Sequence, residues 1–121
     1  MQNALIVDDN RQMADSLKQL LTLFDIEAEV AYGSRPALVA LQTANPEIVF
    51  LDINMPGVSG FEVLGYLKRE PRLAEVPVIV VTSDDQPETA KRARDAGVSA
   101  MMIKPVTYEM LEATLKEVNL L

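Results

Sequence analysis

Short apolar runs of strand length alternate along this chain with stretches whose apolar residues recur at helical spacing. The runs lie at Ala4–Val7, Glu27–Ala31, Ile48–Leu51, Val78–Val81 and Ala100–Ile103. After the first run, Met13, Leu17, Leu20, Leu21 and Phe24 form one continuous helical stripe. Ser34 is placed to cap a second helix, whose first turn tolerates Pro36. A third helix is predicted from Gly60 to just before Pro71, burying Phe61, Leu64 and Leu67. A fourth spans about Pro87–Ala96, with Gly97 as its C-terminal stop. Thr107 caps a fifth, which turns Leu111, Leu115 and Val118 inward. Gly57 and Gly60 permit positive φ in the turn before the third helix. Gly65 within that helix costs up to about 1 kcal/mol against Ala, which suggests close packing there.

Runs that are apolar throughout imply strands buried on both faces, hence a parallel sheet. Five strand–helix units share 121 residues, about 24 each and close to the ~30 of a compact crossover. No linker, repeat or low-complexity tract interrupts them. The expectation is one doubly wound α/β domain over residues 1–121. Its fourth helix offers the core mainly Ala90, Ala93 and Ala96, with Lys91, Arg92 and Arg94 outward. Three alanines bury little apolar area, and lightly anchored elements move cheaply.

Composition narrows the chemistry. Apolar content is 49%, and no apolar run approaches the ~18 residues of a membrane span. No signal-like segment is seen, so the expected location is cytoplasmic, with no membrane partner. The chain has no Cys and no His, which excludes disulfides, thiolate or imidazole metal sites, Ser-His-Asp triads and phosphohistidine. Any metal must be held by oxygen, pointing to Mg²⁺ or else Ca²⁺ or Mn²⁺. A net charge of −7 repels nucleic acid, so none is expected as a partner of this domain.

Four of the apolar runs end on polar groups that handle phosphate: Asp8-Asp9, Asp52, Thr82 and Lys104. In an open parallel sheet such ends meet at one edge, where ligands bind. Two carboxylates about 5 Å apart repel by about 3 kcal/mol at an effective dielectric near 20. Lys104 and a divalent ion would resolve that repulsion beside an incoming phosphoryl group. Asp52, alone at the end of the central strand, is the best nucleophile, since Asp can form acyl phosphates. Asp8 and Asp9 suit the metal, Lys104 the phosphoryl charge, and Thr82 a hydrogen bond to a phosphoryl oxygen. Taken singly, each has a bland reading: a helix cap for Asp8-Asp9 or Thr82, a loop cap for Asp52, a solvated surface lysine for Lys104. Their joint fall on four strand ends favours the sharper one.

Val7-Asp8-Asp9-Asn10, Leu51-Asp52-Ile53-Asn54-Met55-Pro56-Gly57-Val58-Ser59-Gly60, Val81-Thr82-Ser83 and Ile103-Lys104-Pro105 closely resemble the receiver domains of two-component response regulators. The resemblance covers essentially the whole chain. It implies a flavodoxin-like five-stranded parallel sheet of order 2-1-3-4-5 with five helices. It implies a switch that catalyses its own phosphorylation and dephosphorylation, not a turnover enzyme. Asp52 would accept the phosphoryl group from a sensor histidine kinase or a histidine phosphotransfer domain. Asp8, Asp9, Asp52 and the Asn54 backbone carbonyl would hold Mg²⁺, with Asp9 as a direct ligand. Thr82 and Lys104 would be the switch hydroxyl and the phosphate-binding lysine, and Lys104-Pro105 a cis peptide. Asn54 and Asp84 match positions that tune phosphoryl lifetime. Two departures stand out: Met101 and Val106 replace the aromatics usual three residues before the lysine and after Lys-Pro. Other readings are a pseudo-receiver that only binds, an aspartyl-phosphate hydrolase, or a nucleotide-binding flavodoxin-like domain. Asn54, in place of a second Asp, disfavours the hydrolase. Asp-Asp-Asn after the first strand disfavours a nucleotide site.

Overall fold

The computed structural model describes residues 2–121. Five strands, β1 (Gln2–Val7), β2 (Ile26–Ala31), β3 (Ile48–Leu51), β4 (Val78–Thr82) and β5 (Ala100–Ile103), alternate with five helices. These are α1 (Arg11–Thr22), α2 (Ser34–Leu41), α3 (Gly60–Arg69), α4 (Pro87–Asp95) and α5 (Tyr108–Glu117). All strand pairings are parallel, in the order β2-β1-β3-β4-β5.

The continuous apolar runs do sit inside. β3 and β4 are buried along their whole length, as is β1 from Ala4 onward. β2 departs from that pattern because it is an edge strand. Its Glu27 and Glu29 alternate outward while Ile26, Ala28 and Ala31 point in. One face of the sheet packs Ile6, Phe50 and Val81 against Leu17 and Leu21 of α1 and Leu111 and Leu115 of α5. The other packs Leu5, Val49 and Leu51 against Leu41 of α2 and Val63, Leu64 and Leu67 of α3. Ile53, Val80 and Ala93 form a small separate cluster under α4.

Three helices start on side-chain caps. Asn10, Ser59 and Thr107 each accept from a backbone N–H in the first turn of α1, α3 and α5, at 3.1 Å. Ser34 is not a cap. It is the first residue of α2, after Gly33 at φ 132°, and its buried hydroxyl donates to the Val58 carbonyl at 2.7 Å. It thereby ties α2 to the β3–α3 loop.

Gly60 also differs from expectation: positive φ in this turn belongs to Gly57, at 79°. A Cβ on Gly60 would collide with the Asp52 carbonyl oxygen and the Ile53 Cα. The residue is small because α3 begins against the end of β3. No backbone crowds Gly65; the first neighbour a Cβ would meet is the Arg69 guanidinium at 3.0 Å. α4 is held even more lightly than its sequence suggests. Only Ala93 is buried, while Ala90 and Ala96 are half-buried.

Arg72, just after α3, reaches across to the end of α2. Its guanidinium donates to the carbonyls of Leu41, Gln42 and Ala44 and to the Asn45 side chain. A cation on the orphan carbonyls of a helix end is favourable on both hydrogen-bonding and dipole grounds. Two substitutions test these readings by thermal or urea unfolding. Arg72→Met is expected to lower stability by about 1–2 kcal/mol. Gly65→Ala is expected to raise it by up to about 1 kcal/mol, because the guanidinium end of Arg69 can move aside.

Candidate functional site at the carboxyl edge of the sheet

Strand register assembles the site. Val7 pairs with Leu51 and Thr82 with Ile103, so the residues that follow emerge side by side. The Asp52 N–H donates to the Val7 carbonyl at 2.9 Å, and the Lys104 N–H to the Thr82 carbonyl at 2.9 Å. Asp8, Asp52, Thr82 and Lys104 therefore meet at one edge.

Each of the three inner strands then closes with the same local device. Asp8 Oδ1 accepts from the Asn10 N–H at 2.9 Å, and Asp52 Oδ1 from the Asn54 N–H at 3.1 Å. Thr82 Oγ1 accepts from the Asp84 N–H at 3.2 Å. Short polar side chains commonly bond their own backbone two residues on, which fixes the turn and the side chain together. One oxygen of each aspartate is thus committed locally and the other is free to point inward. Both free oxygens reach Lys104: its Nζ lies 2.8 Å from Asp8 Oδ2 and 3.2 Å from Asp52 Oδ2.

Burial raises the stakes of this arrangement. Asp8, Asp52 and Thr82 are 4%, 6% and 0% exposed, whereas Asp9 faces solvent. Burial pushes the Asp52 carboxyl above the ordinary carboxylate value. The Asn54 N–H and the Lys104 charge pull it back only in part, and the neighbouring Asp8 charge pushes it further up. Burial alone would lower Lys104, but the hydrogen bond and charge from Asp8 and the charge of Asp52 outweigh it. The ammonium is held above its usual value. Asp8, Asp9 and Asp52 can each place one oxygen within 4.8 Å of the others. Asp9 joins no ion pair among the described residues.

A second hydrogen-bond set extends from the site to α4. Asn54 Nδ2 donates to Asp84 Oδ2 at 3.2 Å, and Thr89 Oγ1, in the first turn of α4, donates to the same oxygen at 2.8 Å. Asp84 Oδ1 accepts from the Gln86 N–H at 3.0 Å. These bonds hold the Asp84 carboxyl below its ordinary value, the Gln86 N–H contributing most. Thr82 closes the loop after β4 and does not cap α4, whose N-cap Gln86 makes no side-chain bond. Asn54 and Asp84 had a sequence signal, their offsets of two from Asp52 and Thr82. Thr89 had none.

Met101 is half-buried and packs on the Ile53–Val80–Ala93 cluster beside Phe61. The aromatic ring in this region therefore comes from α3. The Arg92 guanidinium of α4 lies 3.9 Å above the centre of that ring. Lys104-Pro105 is cis, as the family resemblance implied. Among the described residues, no helix is long and apolar enough to cross a membrane.

The family model for the response regulator receiver domain matches residues 4–116. Chemotaxis protein CheY of Pseudomonas aeruginosa is 33% identical over 116 residues, covering 94% of this chain and 93% of that protein. A probable methanogenesis regulatory protein of Methanothrix harundinacea is 38% identical over 74 residues, 61% of this chain. That match takes in about half of the archaeal protein's length, 48%. In structure, chemotaxis protein CheY4 of Vibrio cholerae superposes with a TM-score of 0.90 at 28% identity, with 98% of both chains covered. With its five-stranded order and its acidic edge, the chain belongs to the response regulator receiver domain family.

Proposed function

We propose that Asp52 accepts a phosphoryl group from a partner phosphohistidine, on a histidine kinase or a histidine phosphotransfer domain, in a Mg²⁺-dependent reaction that switches partner binding. The observation that carries this reading is the convergence of Asp8 and Asp52 on one Lys104, with Asp9 beside them and Thr82 buried at the next strand end. Such crowding of carboxylates is a standing electrostatic cost. A module that only bound partners would gain by losing one of them, and this chain keeps all three.

The donor set fits a hard divalent cation, because every available ligand is oxygen and Mg²⁺ takes one or two carboxylates plus water and phosphate oxygens. Asp8, Asp9, Asp52 and the Asn54 carbonyl would hold it. When bound it supplies positive charge for the carboxylates and the transferring phosphoryl oxygens. The chain's own residues do the rest. The carboxylate of Asp52 attacks phosphorus, forming an acyl–phosphate P–O bond as the P–N bond to the donor imidazole breaks. The imidazole departs with the bond's electron pair. Lys104 Nζ, already beside Asp52, pairs with the phosphoryl charge that develops there. Thr82 Oγ1 accepts from the Asp84 N–H, so its proton is free to be donated to a phosphoryl oxygen. Little covalent help is needed, since phosphoryl transfer depends on positioning and charge.

Two outcomes check this. Incubation with acetyl phosphate and Mg²⁺ is expected to label the protein up to one phosphoryl group per chain, and Asp52→Asn or chelation to abolish it. Persistent stoichiometric labelling of Asp52→Asn sinks the assignment. The second concerns stability without metal. A carboxyl whose folded value is raised favours the fold while protonated, and that contribution is lost as pH rises through the folded value. Metal-free Asp52→Asn is therefore expected to melt higher than wild type at neutral pH. The gap should close as pH falls below the ordinary carboxylate value of 3.8. A gap that is independent of pH would contradict this.

A further inference from the structure

Directly behind the carboxylate–lysine cluster lies a cavity of about 180 Å³. Its walls are Ile6, Phe50 and Val81 from the sheet, Leu17 from α1, and Val106 after the cis Lys104-Pro105 bond. The sheet residues and Leu17 are buried and apolar, while Met13 and Leu20 of α1 are half-buried and Ser16 is exposed. Asp8, Asp52 and Lys104 also line the cavity and supply its charged groups. Protein interiors contain few voids larger than a water molecule. A dry apolar cavity of about 150 Å³ is enough to take up benzene, so this one holds a single ring. Val106 contributes to the opening: the family resemblance puts an aromatic there, and valine is much smaller.

The charged lining decides what else such a ligand carries. Two carboxylates face one ammonium, which leaves this part of the lining net negative in a region of low dielectric. A cationic head is attracted there and an anionic one repelled, more strongly than in bulk water. We propose that this cavity is a binding site for a small organic cation, a single ring or similarly compact apolar body bearing one ammonium group. The body occupies the space between Leu17, Phe50 and Val106, and the ammonium sits against Asp8 and Asp52. This site does not require Asp52 to be phosphorylated. It therefore stands or falls separately from the phosphoacceptor assignment.

Methyl-labelled protein titrated with benzylamine, benzyl alcohol and benzoate tests it, followed by NMR in the absence of Mg²⁺. Benzylamine is expected to shift the Leu17, Val81 and Val106 methyls saturably. It should bind about tenfold tighter than the equally shaped neutral alcohol, a difference of about 1.4 kcal/mol, while benzoate does not bind. Val106→Phe, which fills the cavity, is expected to abolish these shifts. Intermolecular NOEs from the ring to the Leu17 and Val106 methyls of the wild type give the same answer without a variant. Absence of saturable shifts, equal binding of all three probes, or NOEs to other residues would each overturn the proposal.

Discussion

Lys104 holds together two carboxylates that would otherwise repel. Its ammonium lies between Asp8 and Asp52, 2.8 and 3.2 Å from their free oxygens, and both aspartates are buried. Taking either carboxylate out of water without a partner is costly. The other features of this edge keep the three groups in place. Parallel register brings the strand ends together, and local turns commit one oxygen of each aspartate. Gly60 lets α3 begin against the Asp52 backbone. The result is a site whose charges balance imperfectly: Asp52 is still pushed toward its protonated form, and Asp9 pairs with no cation among the described residues. A divalent cation resolves an imbalance of that kind.

Asp84 stands between this cluster and α4. It receives the Asn54 side chain from the β3 side and Thr89 from the first turn of α4, and its own N–H is bonded to Thr82. α4 has few competing ties, with one buried alanine and an Arg92–Phe61 contact. Helices with so little buried area are among the least costly to displace. A change at Thr82 or Asn54 therefore has a short route to an element that can respond. Met101, where an aromatic is usual, packs into the same small cluster and adapts its shape readily.

Much of this was legible in the chain because the signals were local and repeated. Runs of buried β-branched residues marked β3 and β4, and the helical stripe through Leu17 and Leu21 marked α1. The four strand-end residues were legible as a site because parallel topology converts order along the chain into adjacency in space. What was not legible depended on tertiary contacts. Ser34 looks like a cap until the β3–α3 loop offers it the Val58 carbonyl. Gly60 looks like a turn residue until Asp52 is seen behind it. Thr89 and Arg72 carry no motif, since their partners lie on other elements. β2 looks like a buried run because its apolar residues outweigh two glutamates that only an edge position explains.

The carboxylate of Asp52 is the group proposed to receive phosphate. Borohydride reduction of protein treated with acetyl phosphate and Mg²⁺ tests this most directly, because an acyl phosphate is reduced to an alcohol at the residue that carried it. Peptide mass spectrometry is expected to find homoserine in place of Asp52, only when Mg²⁺ is present, with Asp8 and Asp9 unchanged. Homoserine in place of Asp8 or Asp9, or a phosphoryl group on a hydroxyl that survives reduction, would contradict the assignment.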